Sequence, residues 1–149
     1  MTVRRDRISL GAALAATLLV AACGEEVVLE DAGEACLSAT PGWPDGFQSF
    51  EAGAPAYVTV RLNECLSSSC TSDMSARCDV EVTGDRIVIS AQGSYTDESG
   101  ASRTCTDDCM VFDTACETPA LAEGTYTVAY GEAEITLGIP SLTGASCLP

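Results

Sequence analysis

Cys78-Asp79-Val80-Glu81-Val82-Thr83-Gly84-Asp85-Arg86-Ile87-Val88-Ile89-Ser90 is the stretch from which the fold class follows. Cys78, Val80 and Val82 alternate with Asp79 and Glu81, the period of two that a half-buried strand requires. Thr83-Gly84-Asp85 then supplies turn chemistry, because Gly tolerates positive φ and Asp bonds its own backbone. A second apolar run, Arg86 to Ser90, follows directly. The segment predicts a β-hairpin.

The same alternation recurs on both sides. In Tyr57-Val58-Thr59-Val60-Arg61-Leu62 the residues Val58, Val60 and Leu62 share one face, and Tyr57, Thr59 and Arg61 the other. Tyr126, Val128 and Tyr130 alternate with Thr127 and Ala129; Gly131 to Glu134 then turn the chain into Ile135, Leu137 and Ile139. Weaker strands are expected at Phe47 to Phe50 and Thr114 to Glu117, about seven in all. Short strands with frequent turn signals predict an all-β protein, an antiparallel β-sandwich. With aromatics at 5%, its core is expected to be Val, Ile, Leu and disulfide sulfur.

Leu121-Ala122-Glu123-Gly124-Thr125-Tyr126-Thr127-Val128 resembles the corner that enters the penultimate strand of immunoglobulin-like and related Greek-key sandwiches. In those folds a Tyr near the strand start hydrogen-bonds to backbone upstream. The resemblance spans Leu121 to Pro140. The Cys-Trp-Cys signature of antibody domains is missing, since Trp43 precedes the candidate strands. The resemblance concerns architecture and carries no function.

At the other end of the chain, Met1 to Arg7 is cationic and residues 8–22 carry no formal charge. This is the layout of a secretory signal, with small residues at the cleavage point. It is too short for a comfortable transmembrane helix, which needs about 20 apolar residues. Val20-Ala21-Ala22-Cys23 resembles the lipobox of bacterial lipoproteins. The resemblance implies a diacylglyceryl group on the Cys23 thiol and cleavage just before it. It also implies sorting to the outer membrane, because Gly24 replaces the Asp that retains such proteins in the inner one. The expected organisation is a signal peptide over 1–22, an acidic tether and N-terminal segment over 23–45, and the sandwich over 46–149. Order is expected to begin near Cys36.

The cysteine count agrees with that reading. There are nine, Cys23, Cys36, Cys65, Cys70, Cys78, Cys105, Cys109, Cys116 and Cys147, and an odd number in an exported chain needs an explanation. Lipidation of Cys23 supplies one and leaves eight to form four disulfides. Eight cysteines permit on the order of a hundred pairings. Local bridges are expected within 65–78 and within 105–116, with Cys36 and Cys147 joining the termini. The spacings lack the CxxC pairs of strong zinc sites and of redox catalysts.

Composition narrows the function. Without residues 1–22 the chain holds four Arg (Arg61, Arg77, Arg86 and Arg103) against 21 acidic residues, a net charge near −17. Such a chain repels phosphate backbones, so nucleic acid is not an expected partner. There is no Lys or His, and Asn63 is the single Asn. Ser-His-Asp and Cys-His arrangements, Schiff-base lysines and His-ligated zinc are thereby removed. No catalytic residues are expected, and no cofactor beyond the lipid on Cys23. The expected role is a non-catalytic binding or structural module of the cell envelope, membrane-attached through its lipid, with a protein or glycan as ligand.

Three features compete with that plain reading. Asp107 and Asp108, inside Thr104-Cys105-Thr106-Asp107-Asp108-Cys109, offer carboxylates for Ca²⁺, with Asp113 or Glu117 as further ligands. Asp97 and Glu98 with Asp85 are a vaguer alternative. Ca²⁺-dependent adhesion or stabilisation, or a carboxylate-based hydrolase, would follow from such clusters; a solvated acidic loop is the simpler reading. Leu66 to Ser72 is rich in hydroxyls and reads either as a ligand-contacting loop or as a polar connection capped by a disulfide. Trp43, between Pro41 and Pro44, is either a binding aromatic or a cover over the sandwich end.

Overall fold

The computed structural model describes residues 24–100 and 103–149. The segment expected to be a signal peptide, 1–22, and Cys23 lie outside the described residues. Eleven strands are present: β1 (Glu25–Glu30), β2 (Glu34–Ser38), β3 (Gln48–Phe50), β4 (Tyr57–Leu66), β5 (Thr71–Thr83), β6 (Arg86–Asp97), β7 (Met110–Glu117), β8 (Gly124–Tyr130), β9 (Ala133–Ile139), β10 (Ser141–Thr143) and β11 (Ser146–Leu148). The seven segments expected from periodicity are β3 to β9. Four further strands flank them in the sequence.

Two sheets face one another. The first runs β5-β6-β8-β9, and β1 continues the line of β8 along the same edge of β6. The second runs β11-β2-β4-β7, and β3 with β10 forms a separate ribbon. Inward positions are those the alternation selected. Val58, Val60 and Leu62 of β4 are at most 3% exposed and face Ile87, Ile89 and Ala91 of β6 with Val128 and Tyr130 of β8. Cys78, Val80 and Val82 pack at the margin of this core. Pairing is antiparallel except between β6 and β8, which run parallel over Arg86 to Ile89. The intervening β7 lies in the other sheet, so the chain re-enters the first sheet in its original direction. The result is a disulfide-stapled sandwich with one parallel pair connected through the opposite sheet.

The corner resemblance holds at its defining contact: the Tyr126 hydroxyl donates to Ala122 O at 3.0 Å.

The expected tether is corrected. Glu25 to Glu30 pairs residue for residue with Asp97 to Gln92 as β1, and Glu34 to Ser38 enters the second sheet as β2. Val27 and Leu29 are half-buried, while Val28 between them and the flanking glutamates are exposed. Two half-buried apolar side chains are too few to register as a period. The open N–H and C=O row of β6 beyond β8 nonetheless gives the segment a hydrogen-bonded place. The chain is therefore held in a sheet well before Cys36, and the sandwich is not confined to 46–149.

The crossing from β1 to β2 is pinned. Asp31, at φ 44°, donates its N–H to Ala91 O at 2.9 Å and accepts the Ala91 N–H on its carboxylate at 2.8 Å. The Tyr130 hydroxyl donates to Ala32 O at 2.6 Å. Gly33, at φ 81°, passes so close to Arg61 that a Cβ would lie 1.9 Å from its carbonyl oxygen.

β1, β5 and β7 begin, and β4 and β6 finish, at one end of the molecule, the base. Gly24, the loop 67–70 and residues 98–100 and 103–109 gather there. The β5–β6 turn, the β3–β10 ribbon and the Tyr126 corner occupy the opposite end, the tip.

Candidate functional site

The base holds most of the side chains singled out in the sequence. Its frame is sulfur. Cys65 is bonded to Cys109 and Cys70 to Cys105, so two disulfides tie the end of β4 and the β4–β5 loop to the β6–β7 loop. Cys78–Cys116 joins β5 to β7 across the sheets, and Cys36–Cys147 joins the neighbouring strands β2 and β11 of the second sheet. The last pairing is the expected one; the local bridges are corrected. Cys70 and Cys78 are separated by most of β5, about 26 Å at 3.3 Å per residue, whereas a disulfide needs Cα atoms within about 7 Å. Cys109 and Cys116 are held apart by β7 in the same way. Neighbouring strands, not neighbouring residues, bring the sulfurs together.

Between these bridges the hydroxyl-rich loop and the acidic loop bond to each other. The Ser67 hydroxyl donates to Thr106 O at 3.0 Å, and the Thr106 N–H donates to Ser69 Oγ at 2.8 Å. Ser68 N–H reaches Asp108 Oδ1 at 3.3 Å, and the Thr106 hydroxyl also donates to that oxygen. These two donors hold the Asp108 carboxyl below the usual carboxylate range. Beside them the Ser72 hydroxyl donates to Glu98 Oε1 at 2.6 Å, Arg103 pairs with the other Glu98 oxygen, and Glu98 N–H donates to Cys70 O at 2.7 Å. Bonds from Ser99 likewise hold the partly exposed Asp97 carboxyl low. The serines are donors and acceptors in a loop clasp, and Glu98, the carboxylate that Ser72 meets, is itself paired with Arg103.

The carboxylates proposed as joint cation ligands are dispersed. Asp107 is exposed, and Asp113 and Glu117 stand on the outer face of β7, Glu117 at its tip end. Asp85 sits in the β5–β6 turn, a full β6 length from Asp97 and Glu98. Among the described residues the one group of three potential ligand atoms that converges is Glu34, Cys36 and Cys147. Its two sulfurs are bonded to each other, which leaves a single carboxylate.

Trp43 covers Arg61, whose guanidinium carbon lies 3.9 Å from the ring centroid. It therefore lies on the outer face of the second sheet rather than over the sandwich end, with 37% of its surface exposed.

Sequence reasoning missed the tip. Phe47, just before β3, and Leu142 of β10 are 79% and 71% exposed, and Leu142 stands opposite Ser49 on the β3–β10 ribbon. A surface groove of about 490 Å³ runs beside Phe47, between Ala39 and Pro55. Strands of three residues are too short for periodicity to distinguish an outward Leu from an inward one. No family model, curated protein or solved structure matches the chain.

Proposed function

We propose that this chain is an exported lipoprotein, anchored in the outer membrane through lipid on Cys23, whose β-sandwich is a non-catalytic binding or structural module. One observation carries the reading. All eight cysteines from Cys36 onward are paired in four disulfides, so the odd thiol of the chain is the one at the lipobox-like Val20 to Cys23. Stable disulfides belong to compartments outside the cytosol, and the charged-then-apolar leader supplies the route there.

The non-catalytic half of the reading rests on chemistry. The chain has no His or Lys, and the hydroxyls and carboxylates clustered at the base are engaged with one another. Asp97 and Asp108 are biased towards the charged form, the opposite of what a general acid needs. The exposed Phe47 and Leu142 at the tip favour a protein ligand met at that end.

The test is the intact mass of protein extracted from membranes. The expected species starts at Cys23, carries acyl chains and lacks the hydrogens of four disulfides. A water-soluble product with free thiols would refute the reading, as would normal processing and membrane retention of Cys23→Ser.

A further inference from the structure

Gly24 is locked to the sheet. It packs against the end of β6, where an added Cβ would lie 2.4 Å from Thr96 Cγ2 and 2.9 Å from Asp97 O. Glu25 is already in register with Asp97. Cys23 is the residue before Gly24, and consecutive Cα atoms are about 3.8 Å apart. There is no slack between the proposed lipid site and the first residue held by the sheet.

We propose, on the lipoprotein reading, that the domain stands on its membrane without a tether, with the base seated against phospholipid headgroups. The occupant of that face is a zwitterionic lipid surface. The carboxylates of Glu25, Asp97, Glu98, Asp107 and Asp108 outweigh the single Arg103 there, so an anionic surface is repelled. The hydroxyl clasp between loop 67–70 and residues 103–109 lies against the headgroups. The twelve residues of β6 raise the β5–β6 turn about 40 Å above them. The β3–β10 ribbon, at the same end as that turn, faces away from the bilayer.

Hydrogen–deuterium exchange on the full, natively lipidated protein in phosphatidylcholine vesicles tests this. The comparison is a variant with about twelve Gly and Ser residues inserted between Gly24 and Glu25, a coil reaching about 20 Å. The inserted residues precede β1 and leave every strand intact. Amides of Ser67 to Ser69 and Thr106 to Asp108 should exchange roughly fivefold or more slowly with the native spacing than with the insert. Those of the Gly84 turn should not differ. Equal exchange at the base in a protein whose mass shows the lipid overturns the seating and leaves the lipoprotein reading intact. A protein without lipid mass removes both.

Discussion

Two tyrosines on the inward face of β8, one on either side of Val128, do different work. Tyr126 closes the corner by donating to Ala122 O. Tyr130 reaches across the sandwich to Ala32 O and ties down the β1–β2 crossing. Burial and then the negative Asp31 push the Tyr130 phenol up from 10.0 to about 12. A raised folded-state value means that this contribution to stability is fully present below about pH 10 and is lost as the pH rises through about 12. In an ultraviolet titration of folded protein, the phenolate of Tyr130 should therefore form near pH 12. Tyr130→Phe should delete that step and lower stability at neutral pH by about 0.5–1.5 kcal/mol, the usual worth of the lost hydrogen bond. A titration unchanged by the substitution would count against the assignment.

At the scale of elements, β1 and β2 exist because of what they lie beside. Glu25 to Glu30 has weak strand character of its own, and the exposed backbone of β6 supplies the pairing. The crossing to β2 depends on Gly33, which combines φ 81° with backbone contact that excludes a side chain. Gly33→Ala should thus be more damaging than a mid-strand Gly→Ala change, with a loss of about 3 kcal/mol or more once strain and overpacking add. Denaturant unfolding of the oxidised protein measures it. A change below about 0.5 kcal/mol, the range of ordinary surface substitutions, would mean that the crossing adapts and does not constrain the fold.

For the whole molecule, the disulfides form a graded set. Cys36–Cys147 closes a separation of 111 residues, against 44, 35 and 38 for the others. Loop-closure entropy assigns about 4.7 kcal/mol to the longest and about 3.8 to the shorter ones. Paired Cys→Ala replacement of Cys36 and Cys147 should accordingly lower the melting temperature more than replacement of Cys70 and Cys105; the reverse order would point to native-state contacts rather than chain entropy. Cation dependence is a property of the same scale. With its carboxylates dispersed, the domain should melt at the same temperature in millimolar Ca²⁺ as in a chelator, and a Ca²⁺-dependent rise would revive the adhesion reading.

Alternation at Val58 to Leu62, Cys78 to Val82 and Tyr126 to Tyr130 determined the strands, their inward faces and the sandwich class from the sequence alone. The cause is local: side chains of an extended chain leave it on alternate faces whatever lies beyond. The lipobox-like tetrapeptide, the odd cysteine and the absence of His and Lys are likewise properties of the chain itself. Tertiary structure alone decided the rest. Which cysteines meet, where Glu25 to Glu30 finds its hydrogen bonds, and that Asp107 and Glu117 lie apart all depend on which strands become neighbours. Phe47 and Leu142 are exposed at the same end for the same reason. Proximity between residues distant in sequence is set by packing two sheets over one core, and no local pattern encodes it.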